Sequence, residues 1–288
     1  MRGRAIRGLA AALLAAVLGC SGAAAQSLTA IGSGEGPLEI TADEGIEWRR
    51  SEGYYLARGN AVARRGEILV RAEELRAYIE GEDLDGLSRI EALGGVRIET
   101  PRETASGQKA VYEVTSGKLI LTGDNLRLVT ERETLTATRS LEYDEPGRRA
   151  VARGDATLRR ADQRLTAELL EAFLAEGQDG NLAILRVEGT GGVEIATPTE
   201  FVSGAEGVYF VDRDFATLAG GVKITRGETQ LNGEYAEVDL KAGVSRLLAR
   251  PPEGTDGGDA PTRVRGLLVP DDLGRGKRPG DEGEAAGQ

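Results

Sequence analysis

Gly59-Asn60-Ala61-Val62-Ala63-Arg64-Arg65-Gly66-Glu67-Ile68-Leu69-Val70-Arg71-Ala72 sets the reading of the chain, because its two ends recur in the same order six times. One end is a glycine that opens an alternating stretch: Gly59-Asn60-Ala61, Gly94-Gly95-Val96, Gly123-Asp124-Asn125, Gly154-Asp155-Ala156, Gly191-Gly192-Val193 and Gly220-Gly221-Val222. The other is an apolar-x-small tripeptide, at Ile40-Thr41-Ala42, Val70-Arg71-Ala72, Ala105-Ser106-Gly107, Leu135-Thr136-Ala137, Leu165-Thr166-Ala167, Val202-Ser203-Gly204 and Leu231-Asn232-Gly233. Eleven residues separate the glycine from the next tripeptide in five units, and twelve in the unit that starts at Gly123. A spacing held that tightly is the mark of a repeat architecture.

The period inside each unit is that of a strand. Gly192-Val193-Glu194-Ile195-Ala196-Thr197 and Gly221-Val222-Lys223-Ile224-Thr225-Arg226 alternate apolar and polar side chains, and such strands bury one face. The Gly-Gly, Gly-Asn and Gly-Asp pairs are expected as hairpin turns, since Gly and Asn tolerate positive φ. Ala72 to Ile79 and Thr166 to Leu174 are rich in helix formers, but their place in a strand repeat overrides that propensity. The recurring Ala or Gly of the tripeptide marks either a close approach of two backbones or a tight core position.

Three units make a module that returns after 95 to 97 residues, giving modules at 38–134 and 135–230 and a partial unit at 231–248. Both modules carry an acidic insertion, Glu80 to Ser88 and Ala175 to Asn181, read as hairpin tips. Stacked units join their apolar faces into one continuous surface. Its expected residues are Ile40, Val70, Val96, Ile98, Leu126, Leu128, Leu135, Leu158, Leu165, Val193, Ile195, Val202, Val222, Ile224 and Leu231. The incomplete last unit predicts a free sheet edge near Leu231 to Leu240, matched by another near Ile40 to Ile46. Free edges of this kind invite head-to-tail self-association.

The N-terminus reads as an export signal. Arg2, Arg4 and Arg7 precede an apolar run from Leu9 to Leu18, and Ala23-Ala24-Ala25 supplies the cleavage site, with the cut after Ala25. Ranked second is lipidation at Cys20, on the looser match of Val17-Leu18-Gly19-Cys20. Cys20 is the only cysteine, so no intrachain disulfide can form. Residues 26–36 form a flexible lead-in, 37–248 the folded part, and 249–288 a Pro/Gly/charged tail expected to be disordered, with an apolar island at Val264 to Val269.

Composition narrows the function. The chain has no histidine, which removes imidazole chemistry and His-ligated metals. Its net charge is −11, falling to −14 once the three arginines of residues 1–25 are lost. That balance disfavours nucleic acid and anionic surfaces. No cofactor or metal is expected, and an anionic amphiphile would be gripped by its apolar part.

Pro37-Leu38-Glu39-Ile40-Thr41-Ala42-Asp43, then Ala57-Arg58-Gly59-Asn60-Ala61-Val62, then Val70-Arg71-Ala72 resemble the OstA-like domain of the periplasmic lipopolysaccharide-transport family (LptA). The resemblance covers nearly all of residues 37–248. It implies an all-β fold, a twisted antiparallel β-jellyroll built from tandem repeats and open at both ends, with an apolar inner groove. It further implies a non-enzymatic carrier in the periplasm that shields the lipid A acyl chains of lipopolysaccharide. Its implied partners are the inner- and outer-membrane transport components of the same jellyroll fold. The long tail departs from the family pattern.

Two other classes compete. A β-helix polysaccharide-active enzyme would need paired carboxylates. The one candidate, Asp212-Arg213-Asp214, reads better as a solvated turn, and aromatics for sugar stacking are only 4% of the chain. A structural or adhesive β-repeat protein would fill its interior completely.

Overall fold

The computed structural model describes residues 37–80, 86–176, 182–239, 241–242, 244–249 and 263–267. The expected export segment 1–25, the expected lead-in 26–36 and most of the tail lie outside them, as do 81–85 and 177–181 of the acidic insertions. Among the described residues there are eighteen strands and no helix, in one antiparallel sheet. They are β1 (Glu39–Thr41), β2 (Gly45–Arg49), β3 (Tyr54–Arg65), β4 (Ile68–Ile79), β5 (Leu87–Glu99), β6 (Glu103–Glu113), β7 (Lys118–Thr122), β8 (Leu126–Thr130) and β9 (Thr134–Ala137). The second half holds β10 (Ser140–Asp144), β11 (Arg149–Arg160), β12 (Gln163–Glu176), β13 (Leu182–Ala196), β14 (Phe201–Phe210), β15 (Phe215–Arg226), β16 (Thr229–Asp239), β17 (Val244–Leu248) and β18 (Arg265–Leu267).

The pairing is a meander in which each rung bonds only to its neighbours in sequence. Four rungs are split in two, β1/β2, β7/β8, β9/β10 and β17/β18, so the eighteen strands make fourteen rungs. The helix-like stretches 72–79 and 166–174 are strand throughout, inside β4 and β12. Pairing decides against local propensity here, since each of these segments has a ladder partner on both sides. Ser88, Ala175 and Glu176 also belong to strands, which trims the expected hairpin tips.

Five of the six Gly pairs have positive φ at both residues, and the sixth, Gly123-Asp124, opens the break between β7 and β8 with positive φ at Gly123 and Asn125; none of the six is a hairpin turn. The five sit in mid-rung and form bulges. Gly59-Asn60 lies opposite Glu73 alone, Gly94-Gly95 opposite Gln108, Gly154-Asp155 opposite Glu168, and Gly191-Gly192 opposite Ala205. The hairpins lie five or six residues further on. Each bulge bends its strand, and the bend is what turns a flat sheet into a jellyroll. No second layer covers the apolar face, so that face is buried only by folding the sheet along the line of bulges. Around this crease, Val193 past the bulge meets Gly189 before it: a Cβ on Gly189 would lie 3.0 Å from Val193 Cγ2.

The bulge also explains the helical look. Inward side chains fall at Ala72 and Leu75, and at Ala167 and Leu170, a spacing of three across the crease that imitates a helix turn. The tripeptide's small residue sits at the crease, where it pairs with the residue just after the bulge: Ala61 with Ala72, Val96 with Gly107, Ala156 with Ala167, and Val222 with Gly233. Both readings of that residue hold. Ala72 and Ala167 are buried, and a Cβ on Gly204 would lie 3.1 Å from the Ala219 carbonyl oxygen.

The outer face carries crossed ion pairs, among them Arg58 with Glu74, Arg76 with Glu74 and Glu91, and Arg89 with Glu91. Their arginines remain about a third or more open to water, so each pair contributes modestly to stability.

The expected free edge at β16 is not free. β16 pairs with β15 on one side, and on the other with β17 over Tyr235–Asp239 and with β18 over Gln230–Asn232. Leu240 lies outside the described residues. The tail is likewise not wholly disordered, since Arg265–Leu267 of its apolar island form β18.

Candidate functional site

The crease divides the interior into two walls. All fifteen expected residues face inward, and all fifteen lie on the wall carrying the tripeptides. Val70, Val96, Ile98, Leu126, Leu165, Val193, Ile195 and Val222 are fully buried. Ile40, Leu128, Leu135, Leu158, Val202 and Ile224 are partly buried against them, and Leu231 is half-buried. The opposite wall escaped sequence reasoning. It is built from Ala57, Leu75, Ile90, Ala92, Ala110, Tyr112, Leu121, Leu141, Ala152, Leu170, Tyr209, Leu218 and Ala236, all buried. Strict alternation from each glycine cannot reach these positions, because the bulge shifts the phase. Counting three on from each small residue would have found Leu75, Ala110, Leu170 and Ala236.

One buried cluster runs from Ala57 in β3 to Val238 in β16 and joins the two walls, and a second, smaller one holds Leu218, Val222 and Ala236. An apolar interior closes in this way because unfilled space forfeits dispersion contacts. Within that run, glycine replaces larger side chains. Gly189 and Gly207 are directly paired across β13 and β14, both facing in. Where they leave room lies a small apolar cleft of about 30 Å³, partly open to solvent. Leu165, Val193 and Ile195 line it from one wall, and Leu170, Val187, Tyr209 and Leu218 from the other. Tyr209 is pinned at the rim by donating its hydroxyl to Asp214 Oδ1 at 2.9 Å.

Asp214 belongs to the turn between β14 and β15 that also holds Asp212 and Arg213. Its carboxylate is taken up by Tyr209, while Arg213 Nε lies 3.9 Å from Asp212 Oδ1. The two aspartates therefore serve a turn rather than a strand-borne carboxylate pair.

Partly or fully buried acids recur at three hairpins on the tripeptide side. Thr100, Thr130 and Thr197 each accept, through Oγ1, the backbone N–H three residues on, from Glu103, Glu133 and Glu200. Burial raises all three carboxyls. Arg160 and Arg132 oppose the rise at Glu133, and Arg226 opposes it at Glu200. Glu103, raised by burial alone, reaches about 7. Between the ordinary carboxylate range and pH 7 the folded chain therefore binds a proton that the unfolded chain does not. This contribution to stability is full below the ordinary carboxylate range, is lost as pH rises from there through about 7, and no longer changes once both states are deprotonated. Glu103→Gln should raise the melting temperature at pH 8 by roughly 2–5 °C, with the gain shrinking toward pH 5. Thermal melts at the two pH values check this, and an equal gain at both would refute it.

A family model described as "LptA/(LptD N-terminal domain) LPS transport protein" matches residues 39–139 and again 136–244. Among solved structures, a similar chain is the crystal structure of LptH, titled as the LptA homologous periplasmic component of the conserved lipopolysaccharide transport device from Pseudomonas aeruginosa. It is 19% identical, with a TM-score of 0.40, and the match covers 48% of this chain and 95% of that one. No curated protein matches.

Proposed function

The chain belongs to the LptA/(LptD N-terminal domain) LPS transport protein family, and from that premise we propose that it is a periplasmic carrier holding the acyl chains of lipopolysaccharide between its two apolar walls. The observation that carries the reading is the apolar cleft over the Gly189–Gly207 pair, lined by side chains of both walls. An acyl chain has no polar group to satisfy, and each CH₂ moved from water into such a cleft contributes about 0.8 kcal/mol. A wall of Val, Ile, Leu and Ala is sufficient for it. The chain enters at the cleft and parts the walls along the crease. The acidic outer surface repels the phosphorylated head group and leaves it in water. No catalytic step is part of this function.

The fold also serves as a bridge between the inner and outer membranes, its terminal edges docking on jellyroll components of the same pathway and on copies of itself. Export through the signal at residues 1–25 delivers it to the periplasm.

A photo-crosslinking residue at Ile195, 4% exposed and lining the cleft, should capture lipopolysaccharide. The same residue at Glu194, which alternates to the outer face, should not. Equal capture at both positions would overturn the reading.

A further inference from the structure

The two modules fill corresponding places of the interior with side chains of different size. On the wall beyond the crease, cross-strand pairing lines up Leu75, Ala92, Ala110 and Leu121 in the first module. The same row in the second module is Leu170, Gly189, Gly207 and Leu218. Both rows run large-small-small-large, but in the second the two small members have lost their methyl groups. The neighbouring row is Ile90, Tyr112 and Leu119 in the first module and Val187, Tyr209 and Ala216 in the second. It keeps its tyrosine and is trimmed on either side of it. The facing wall makes up little of this at the glycine pair. Val96 and Ile98 return unchanged as Val193 and Ile195, and Leu165 exceeds Val70 by a single carbon. Val202, two carbons larger than Ala105, does not line the cleft.

The packing follows the trimming. Ala92 and Ala110 are buried with Val96, Leu121 and Leu126 in the main cluster. The counterparts of those two leucines, Leu218 and Val222, stand apart in the smaller cluster, and the cleft opens where Leu218 adjoins the glycine pair. A Cβ on Gly189 would lie 3.0 Å from Val193 Cγ2, and one on Gly207 3.7 Å from Val193 Cγ1. Restored methyl groups would therefore close against the same valine of the facing wall.

We infer that the modules are unequal toward the ligand: a free acyl chain loads into the second module, and the methyl groups of Ala92 and Ala110 keep the first one shut. The inference rests on the carrier reading proposed above and adds to it a single loading place per chain. An acyl chain that enters between packed walls has to break side-chain contacts, and where those contacts are already missing that cost is absent.

The test places a photo-crosslinking residue at Ile195 or at its counterpart Ile98 in the mature chain and adds lipopolysaccharide. Two methyl-sized volumes, each worth roughly fourfold in affinity, make capture at 195 at least about tenfold stronger than at 98. Ala92→Gly/Ala110→Gly should raise capture at 98 by about tenfold. Gly189→Ala/Gly207→Ala should lower capture at 195 by about as much, and it decides the matter if circular dichroism shows the first variant unfolded. Wild-type capture at 98 that equals or exceeds capture at 195 overturns the inequality of the modules and leaves the carrier reading intact. A folded variant that leaves capture at its own position unchanged overturns the role of the methyl groups. Absence of capture at both positions refutes the carrier reading, and this inference with it.

Discussion

Valine at position 94 should lower the melting temperature by roughly 10 °C, while asparagine at position 95 should change it by no more than a degree or two. The two glycines are adjacent and both have positive φ, 80° and 58°. Gly94, however, packs its α-carbon against the neighbouring rung. A Cβ there would lie 2.7 Å from Glu73 Cβ, in a conformation that β-branched residues avoid. Strain of about 1–3 kcal/mol adds to an overpacking cost of about 1–3 kcal/mol. At Gly95 a Cβ would meet nothing within 4 Å, and its N–H donates to Gln108 Oε1 at 3.2 Å, a bond that asparagine keeps. Asn60 and Asp155 already hold the corresponding bulge position at φ 45° and 43°. Comparable losses from Gly94→Val and Gly95→Asn in thermal melts would show that backbone freedom alone, and not the close approach, fixes the bulge.

Gly207→Leu should abolish lipid capture while sparing the fold. Gly207 is an ordinary strand residue without positive φ, so a side chain is not excluded by the backbone. A Cβ would lie 3.3 Å from the Thr217 carbonyl oxygen and 3.6 Å from Leu218 Cγ, which asks for a shift of a few tenths of an ångström. The rest of the leucine projects into the cleft and occupies the space where the acyl chain enters. Loss of even three or four buried CH₂ groups at about 0.8 kcal/mol each lowers affinity on the order of a hundredfold. Photo-capture from Ile195 in the Gly207→Leu background measures it. Undiminished capture, with circular dichroism unchanged, would move the binding place away from the glycine pair.

The sequence made one wall of this molecule legible and hid the other, for a reason that lies in the bulge. Val193 and Ile195 follow the glycine in plain alternation, so their shared face can be read directly. Leu170 and Leu75 lie beyond the crease, where two residues oppose one and the count of in and out slips. The same slip made 72–79 and 166–174 look helical. The glycines do have positive φ, but φ does not distinguish a hairpin from a mid-strand bulge; the partner register does. β18 could not be foreseen either. Its three residues stand in a Pro/Gly-rich, charged tail, and only the unsatisfied first half of β16 gives them a place.

The neighbour-only pairing has a consequence for how the chain acquires its structure. The widest pairing inside the continuous meander joins Arg164 to Ala196, and the widest of all joins Gln230 to Leu267. No rung waits for a distant stretch of polypeptide, which is unusual for an all-β protein, where remote partners and slow loop closure set the folding time. A chain threaded across a membrane N-terminus first can therefore zip up rung by rung as it emerges. Each new rung covers the edge left exposed by the one before, so nascent segments spend little time with an unpaired, aggregation-prone border.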